Sequence, residues 1–249
     1  MIGISPPTHV EHVMGTAVLF DVRGDRSAQD ALDEAVAMLH WVDATFSVHR
    51  HDSEVSQISL GELAVVDADP RVWEVLAACD ALQRGTSGAF DHRPNGVLDP
   101  SGYVKGWAVE AAADVLTRHG LTSFLISAGG DIVARGAPAG ADGWRIGIQD
   151  PTKPGSTVGT VELHDNAVAS SGLYERGSHI WGITGENEAL AGVSIVGPDL
   201  GVADALATAV FASGLRHASW LADFPDYAFI AVTPDLRILR SRAAPFVGA

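Results

Sequence analysis

Basic residues are scarce in this sequence: 16 Lys and Arg stand against 31 Asp and Glu over 249 residues, a formal net charge of −15. That balance repels duplex phosphate, and no cluster of Lys or Arg interleaved with aromatics offsets it locally, so no nucleic-acid partner is expected. Cysteine is nearly absent too. The single cysteine, Cys79, can form neither an intramolecular disulfide framework nor a CxxC metal knot. Its neighbours Val75, Leu76 and Leu82 mark it as a small core residue of a helix. No window approaches the roughly 18 to 20 apolar residues of a membrane span. The stretch from Met1 to His12 lacks the basic start and apolar segment of a secretion signal, so a cytoplasmic location is expected. Low-complexity runs are missing as well. With 47% apolar and 19% charged residues, the chain has the composition of a packed globular protein, with disorder confined to its two ends.

What is present reads as alternating helix and strand. Val13 to Val22 is a β-rich apolar run, and Ser27 caps a helical pattern through Leu32, Val36, Leu39 and Val42. Asp69-Pro70 is a cap followed by proline in the first helical position, opening a helix through Val72, Leu76, Cys79 and Leu82 that ends near Gly85. A glycine-bearing loop leads to a third helix marked by Ala108, Ala112, Val115 and Leu116 and closed at Gly120. Phe124 to Ile126 and Ile132 to Ala134 are short strands around a tight glycine turn. Trp144 to Leu163, Val168 to Ile183 and Val193 to Val196 are strand-like. Asp204 to Ser213 returns to helical spacing, and Phe229 to Val232 with Ile238-Leu239 closes the chain as a hairpin. Strands adjoin by hairpins more often than through helices, so the class is α+β with a mixed or antiparallel sheet. One domain over 1–249 is expected, with any division into lobes falling near residue 140.

Several residue groups could carry chemistry. Asp204 and Thr208 stand four apart on a predicted helix, on one face, and hard oxygen ligands suit Mg²⁺ or Ca²⁺ over zinc. The spacing alone is a weak signal, being more commonly that of a cap or dipole partner and of a threonine bonded to its own backbone. Ala128-Gly129-Gly130-Asp131 lets the backbone approach a ligand or take positive φ, but it also reads as an ordinary β-turn and matches no phosphate-loop pattern. Lys105, placed at a helix start, opposes the helix dipole unless an anion lies beside it, which points to a phosphate or carboxylate partner and leaves simple exposure as an equal alternative. Among ten histidines, His179 has a small polar setting, as a general base or a flavin contact. His49 and His51 flank Arg50 in what reads as an exposed basic turn. Neither a Gly-x-Ser-x-Gly elbow nor paired zinc-spaced histidines occur.

Taken in order, Met14-Gly15-Thr16, Phe46-Ser47 with Ser53-Glu54-Val55-Ser56, Gly88-Ala89-Phe90-Asp91, Leu98-Asp99 with Lys105-Gly106, Ala128-Gly129-Gly130-Asp131, Ser170-Ser171-Gly172, Ser178-His179-Ile180 and Ala203 to Thr208 form a set. In that order and spacing the chain resembles the ApbE family of FAD:protein FMN transferases over nearly its whole length. The resemblance implies an α+β fold related to tunnelling-type (T-fold) domains. It implies an enzyme that binds FAD and Mg²⁺, releases AMP and leaves FMN as a phosphoester on a Ser or Thr of an acceptor protein. Asp204 and Thr208 match the family's side-chain metal ligands, and Gly102 matches the position that offers a backbone carbonyl. Met14, Ala89, Phe90, Asp91, Asp99 and Lys105 match positions that contact FAD. His179 matches a histidine near the reacting groups, where it and Asp204 carry the catalytic expectation.

The sequence also departs from the family pattern. His49, counted with the FAD contacts, replaces an aromatic residue or Asn; Glu110 replaces Asp; Trp181 to Thr184 replaces an Asp-Pro; and Ala207 stands where some members carry a further acid. These changes surround the flavin and phosphate contacts. They keep two alternatives open, an Mg-dependent FAD pyrophosphatase giving FMN and AMP, and a non-catalytic flavin-binding protein.

Overall fold

The computed structural model describes residues 8–23, 28–153, 155–172 and 190–247. Ten strands are described: β1 Thr8–Val13, β2 Thr16–Val22, β3 Phe124–Ala128, β4 Asp131–Arg135, β5 Trp144–Gln149, β6 Thr157–Leu163, β7 Asn166–Gly172, β8 Gly192–Gly197, β9 Ala228–Val232 and β10 Ile238–Arg240. Eight form one sheet in the order β1-β2-β3-β4-β7-β8-β9-β10, and β5 pairs with β6 in a second. Every pairing among the described strands is antiparallel, so the α+β class expected from the hairpin-rich pattern holds.

The helices are α1 Ala28–Phe46, α2 Glu54–Leu60, α3 Pro70–Gly85, α4 Ser101–Arg118 and α5 Leu200–Ser213. Period-two alternation sends Val18, Phe20, Val22, Phe124, Ile126 and Ala128 to one face of the large sheet, where they join the buried residues of the helices in one core. Helix α1 packs on α4, α4 on α5, and α5 on β7 and β8. The alternate residues, Leu125, Ala134, Val168 and Val196, meet Trp144, Ile146, Val161 and Leu163 of the small sheet. Both faces of the large sheet are thereby covered. None of the described helices is long and apolar enough to cross a membrane.

The structure refines several boundaries. The run from Val13 to Val22 is a hairpin rather than one strand, because Met14 and Gly15 turn the chain with φ of 53 and 71°. Positive φ at both central residues is what a two-residue hairpin loop requires, and Met-Gly is not a usual pair for it. Helix α2 carries no sequence signal of its own length. It has seven residues with only Val55 buried, yet the Ser53 side chain caps it by accepting from the Ser56 N–H at 3.1 Å. Helix α5 begins four residues before Asp204, with Asp199 Oδ1 accepting from Val202 N–H at 2.7 Å. The cap role that Asp204 could have filled is therefore taken. Helix α4 likewise starts at Ser101, so Lys105 stands one turn inside it rather than at its start.

Candidate functional site

The site is set by how closely α4 and α5 approach. A Cβ on Gly106 would stand 2.4 Å from the Leu200 carbonyl oxygen, and one on Gly201 would meet Tyr103 Cε2 at 2.9 Å. Only the absence of those side chains lets the two backbones touch. Glu110 fastens the same junction, accepting from the Leu200 N–H at 3.1 Å and pairing with Arg135 of β4. Burial pushes the Glu110 carboxyl above its usual range, and Arg135 opposes that rise. Glu110 thus joins α4, β4 and the first residue of α5.

Contact between the helices brings Asp204 against α4. The Asp204 side chain is 1% exposed, and its Oδ2 accepts from the Gly106 N–H at 3.3 Å. One turn further along α5, Thr208 faces Gly102: a Cβ on that glycine would lie 3.6 Å from Thr208 Oγ1. The Thr208 hydroxyl oxygen is buried with no hydrogen-bond partner among the described residues. Its own backbone does not satisfy it, which removes the ordinary explanation for threonine inside a helix. Gly102, Asp204 and Thr208 are therefore neighbours in space.

A second buried carboxylate stands beside them. Gly129 and Gly130, at φ of 56 and 92°, make the two-residue turn between β3 and β4, and Asp131 follows at the first position of β4. Asp131 is fully buried. Its Oδ1 accepts from the Ser170 N–H at 3.1 Å, and its Oδ2 accepts a short charged hydrogen bond from Lys105 Nζ. Lys105 Nζ also lies 3.8 Å from Asp204 Oδ2. Two buried carboxylates thus share one ammonium, in keeping with the need to pair charge inside a protein. Asp131 was not among the residues expected to act, because behind two glycines it has the look of a turn residue. Its partners come from distant segments that the sheet order brings together.

Beside Lys105 opens a cavity of about 270 Å³ lined by Met14, Phe46, Ser47, His49 and Ser101. Its size is that of the smaller ligand pockets, so a dinucleotide would extend beyond it. Met14, one of these lining residues, is held at φ 53°, a conformation costly for a long side chain. The Phe90 ring is buried and lies 3.3 Å from the position a Gly102 Cβ would take. Asp99 Oδ1 accepts from the Ser101 N–H at 3.1 Å and steadies the entry to α4. Ala89 is half-buried and Asp91 exposed, with Asp91 Oδ1 accepting from Gln83 Nε2 at 3.1 Å and Arg93 N–H at 2.8 Å; neither lines the cavity. His49 is exposed in a turn. His179 and residues 181–184 lie outside the described residues.

These groups suit a hard cation and an anion together. No cluster of three or more His, Cys, Asp or Glu fit for a metal occurs among the described residues. The donors are instead one carboxylate, one hydroxyl left without a partner and a glycine backbone, an oxygen set that fits Mg²⁺ and does not fit zinc. Such a shell would need completion by ligand oxygen or water.

The ApbE family model matches residues 14–94 and 92–231. An FAD:protein FMN transferase of Treponema pallidum is 31% identical over 214 residues, spanning 74% of this chain and 59% of that protein. One of Vibrio cholerae is 32% identical over 142 residues, spanning 52% and 42%. The chain thus spans about half the length of these curated relatives. In three dimensions it is similar to the flavin transferase ApbE from Vibrio cholerae, with a TM-score of 0.83 at 21% identity over 97% of this chain and 99% of that one. It is also similar to the ApbE protein of Thermotoga maritima, with a TM-score of 0.80 at 20% identity over 95% and 97%.

Proposed function

Since the chain belongs to the ApbE family, we propose that it transfers FMN from FAD to a Ser or Thr hydroxyl of an acceptor protein and releases AMP, with Mg²⁺ bound by Gly102, Asp204 and Thr208. The observation that carries this reading is the buried Thr208 hydroxyl, left without a partner one turn from Asp204 and opposite Gly102. Relatives carrying the transferase name support the activity, and the cavity beside Lys105 supplies room for part of the flavin nucleotide.

In this reading Met14, Phe90 and His49 contact the flavin end, and Ala89, Asp91 and Asp99 hold the loop and helix entry around it. Lys105 meets the pyrophosphate with its ammonium. A divalent ion held by the oxygen set supplies charge neutralisation on phosphate oxygens, an effect worth several kcal/mol in such reactions. His179 takes the proton of the acceptor hydroxyl. The hydroxyl oxygen bonds to the FMN phosphorus, the bond from that phosphorus to the bridging oxygen breaks, and AMP leaves with the bridging oxygen. No nucleophile of this chain is required.

The test follows AMP. With FAD and Mg²⁺ present, chromatography should show AMP accumulating only when an acceptor protein is added. Equal AMP release without acceptor would make the protein an FAD pyrophosphatase. Tight flavin binding with no AMP under either condition would make it a flavin carrier.

A further inference from the structure

We infer that Asp131 is a positioning residue that draws the Lys105 ammonium closer to itself than to Asp204 and so limits the competition of that ammonium with a divalent cation for Asp204. The inference rests on the metal reading of Asp204 and Thr208 given above. It concerns a different question, which is what prevents the site from being closed by the protein's own lysine.

The geometry poses that question directly. Lys105 Nζ is 3.8 Å from Asp204 Oδ2, within reach of direct contact by a small rotation of a flexible four-carbon stem. A buried carboxylate with an ammonium so close would ordinarily pair with it, and an ammonium on Asp204 competes with a metal for the same oxygen. Asp131 offsets that attraction from the other side. Its Oδ2 takes the shorter contact with Lys105 Nζ, while its Oδ1 is fixed by the Ser170 N–H of the neighbouring strand at 3.1 Å. Both oxygens being engaged, Asp131 cannot turn away, and it is fully buried on the first residue of β4. The lysine is thereby held between two carboxylates and closer to the one that is not a proposed metal ligand. The two carboxylates carry one more charge than the ammonium between them, which favours a cation over a second ammonium at Asp204.

A double-mutant cycle on metal binding, read without flavin or turnover, tests this. Mn²⁺ serves as the probe, its binding followed by loss of the free-ion electron paramagnetic resonance signal, for wild type, Asp131→Asn, Lys105→Met, the double variant and Asp204→Ala. Asp131→Asn retains an oxygen for the Ser170 N–H but loses the charge that holds Lys105. It should weaken Mn²⁺ binding about tenfold, whereas in the Lys105→Met background the same change should cost less than about threefold. Lys105→Met alone should tighten Mn²⁺ binding, and this variant carries the test if Asp131→Asn does not fold. Equal losses from Asp131→Asn with and without Lys105 would overturn the inference while leaving the metal site intact, as would weaker binding in Lys105→Met. A wild type whose Mn²⁺ binding is absent, or is unchanged by Asp204→Ala, would overturn the metal site itself and the inference with it.

Discussion

Gly106→Ala is the sharpest perturbation of the helix junction on which the site depends. A Cβ there would meet three backbone atoms of α5, Leu200 O at 2.4 Å, Leu200 C at 2.8 Å and Gly201 Cα at 2.9 Å. Restoring ordinary contact needs a displacement of about 1 Å. Backbone cannot yield as a side-chain tip does, and Leu200 is also tied down by Glu110, so α5 must move as a body or lose its first turn. Overpacking of this kind costs about 1–3 kcal/mol, partly offset by up to ~1 kcal/mol from the better helix propensity of alanine. With the loss of the Glu110 contact included, a net cost of about 2 kcal/mol is expected, equivalent to a melting point lower by about 4–8 °C in a chain of this size. Because Gly106 N–H is also a donor to Asp204, Mg²⁺ affinity measured calorimetrically should fall with stability. Gly102→Ala is the control: its nearest neighbour is a Phe90 ring carbon at 3.3 Å, so a few tenths of an ångström accommodate it and the melting point should fall less. A Gly106→Ala protein that melts with wild type and binds Mg²⁺ equally well would refute the account of how Asp204 is placed.

Three further outcomes are expected. Thr208→Val removes a buried hydroxyl that has no partner, so metal-free protein should be unchanged or more stable by up to about 1 kcal/mol in denaturant titration, while Mg²⁺ affinity drops. His92 is fully buried, 3.2 Å from Asp80 Oδ1 but misaligned for a hydrogen bond, and burial lowers its pKa from the usual 6.5 despite Asp80. The unfolded chain therefore binds the proton more readily, so stability attributable to His92 is complete above pH 6.5 and is lost as pH falls through that value toward the lowered one. His92→Asn should flatten that acid-side slope of the melting point, and an identical slope would contradict the assignment. Burial pushes the Cys79 thiol up to about 12, so a thiol reagent at neutral pH should label it only as the protein unfolds.

How much of this was legible beforehand differs from element to element. Helix α5 and its Asp204-Thr208 face follow from helical period alone, and so does α3, where Asp69 and Pro70 mark the start in the sequence. The role of the pair is not legible from spacing, because Asp199 is what takes the capping role, and the support for ligation is a hydroxyl whose lack of a partner among the described residues only packing reveals. Helix α2 was invisible because seven residues with one buried side chain leave no period to read. The Met14 turn was hidden because its dipeptide is atypical and the flanking residues are β-formers. Asp131 was present in the glycine segment, yet its importance comes from Lys105, 26 positions away, and Ser170, 39 positions away. Such contacts depend on strand order, which local pattern does not encode.

The central claim is the covalent transfer of FMN to a hydroxyl of another protein, and intact-mass spectrometry of an acceptor tests it most directly. An acceptor domain with a surface Ser or Thr, incubated with this protein, FAD and Mg²⁺, should gain the mass of one FMN less water. The gain should vanish with Asp204→Ala, with chelator, or when the acceptor hydroxyl is replaced by Ala. An acceptor that stays unmodified while wild-type protein converts FAD to free FMN and AMP would contradict the claim.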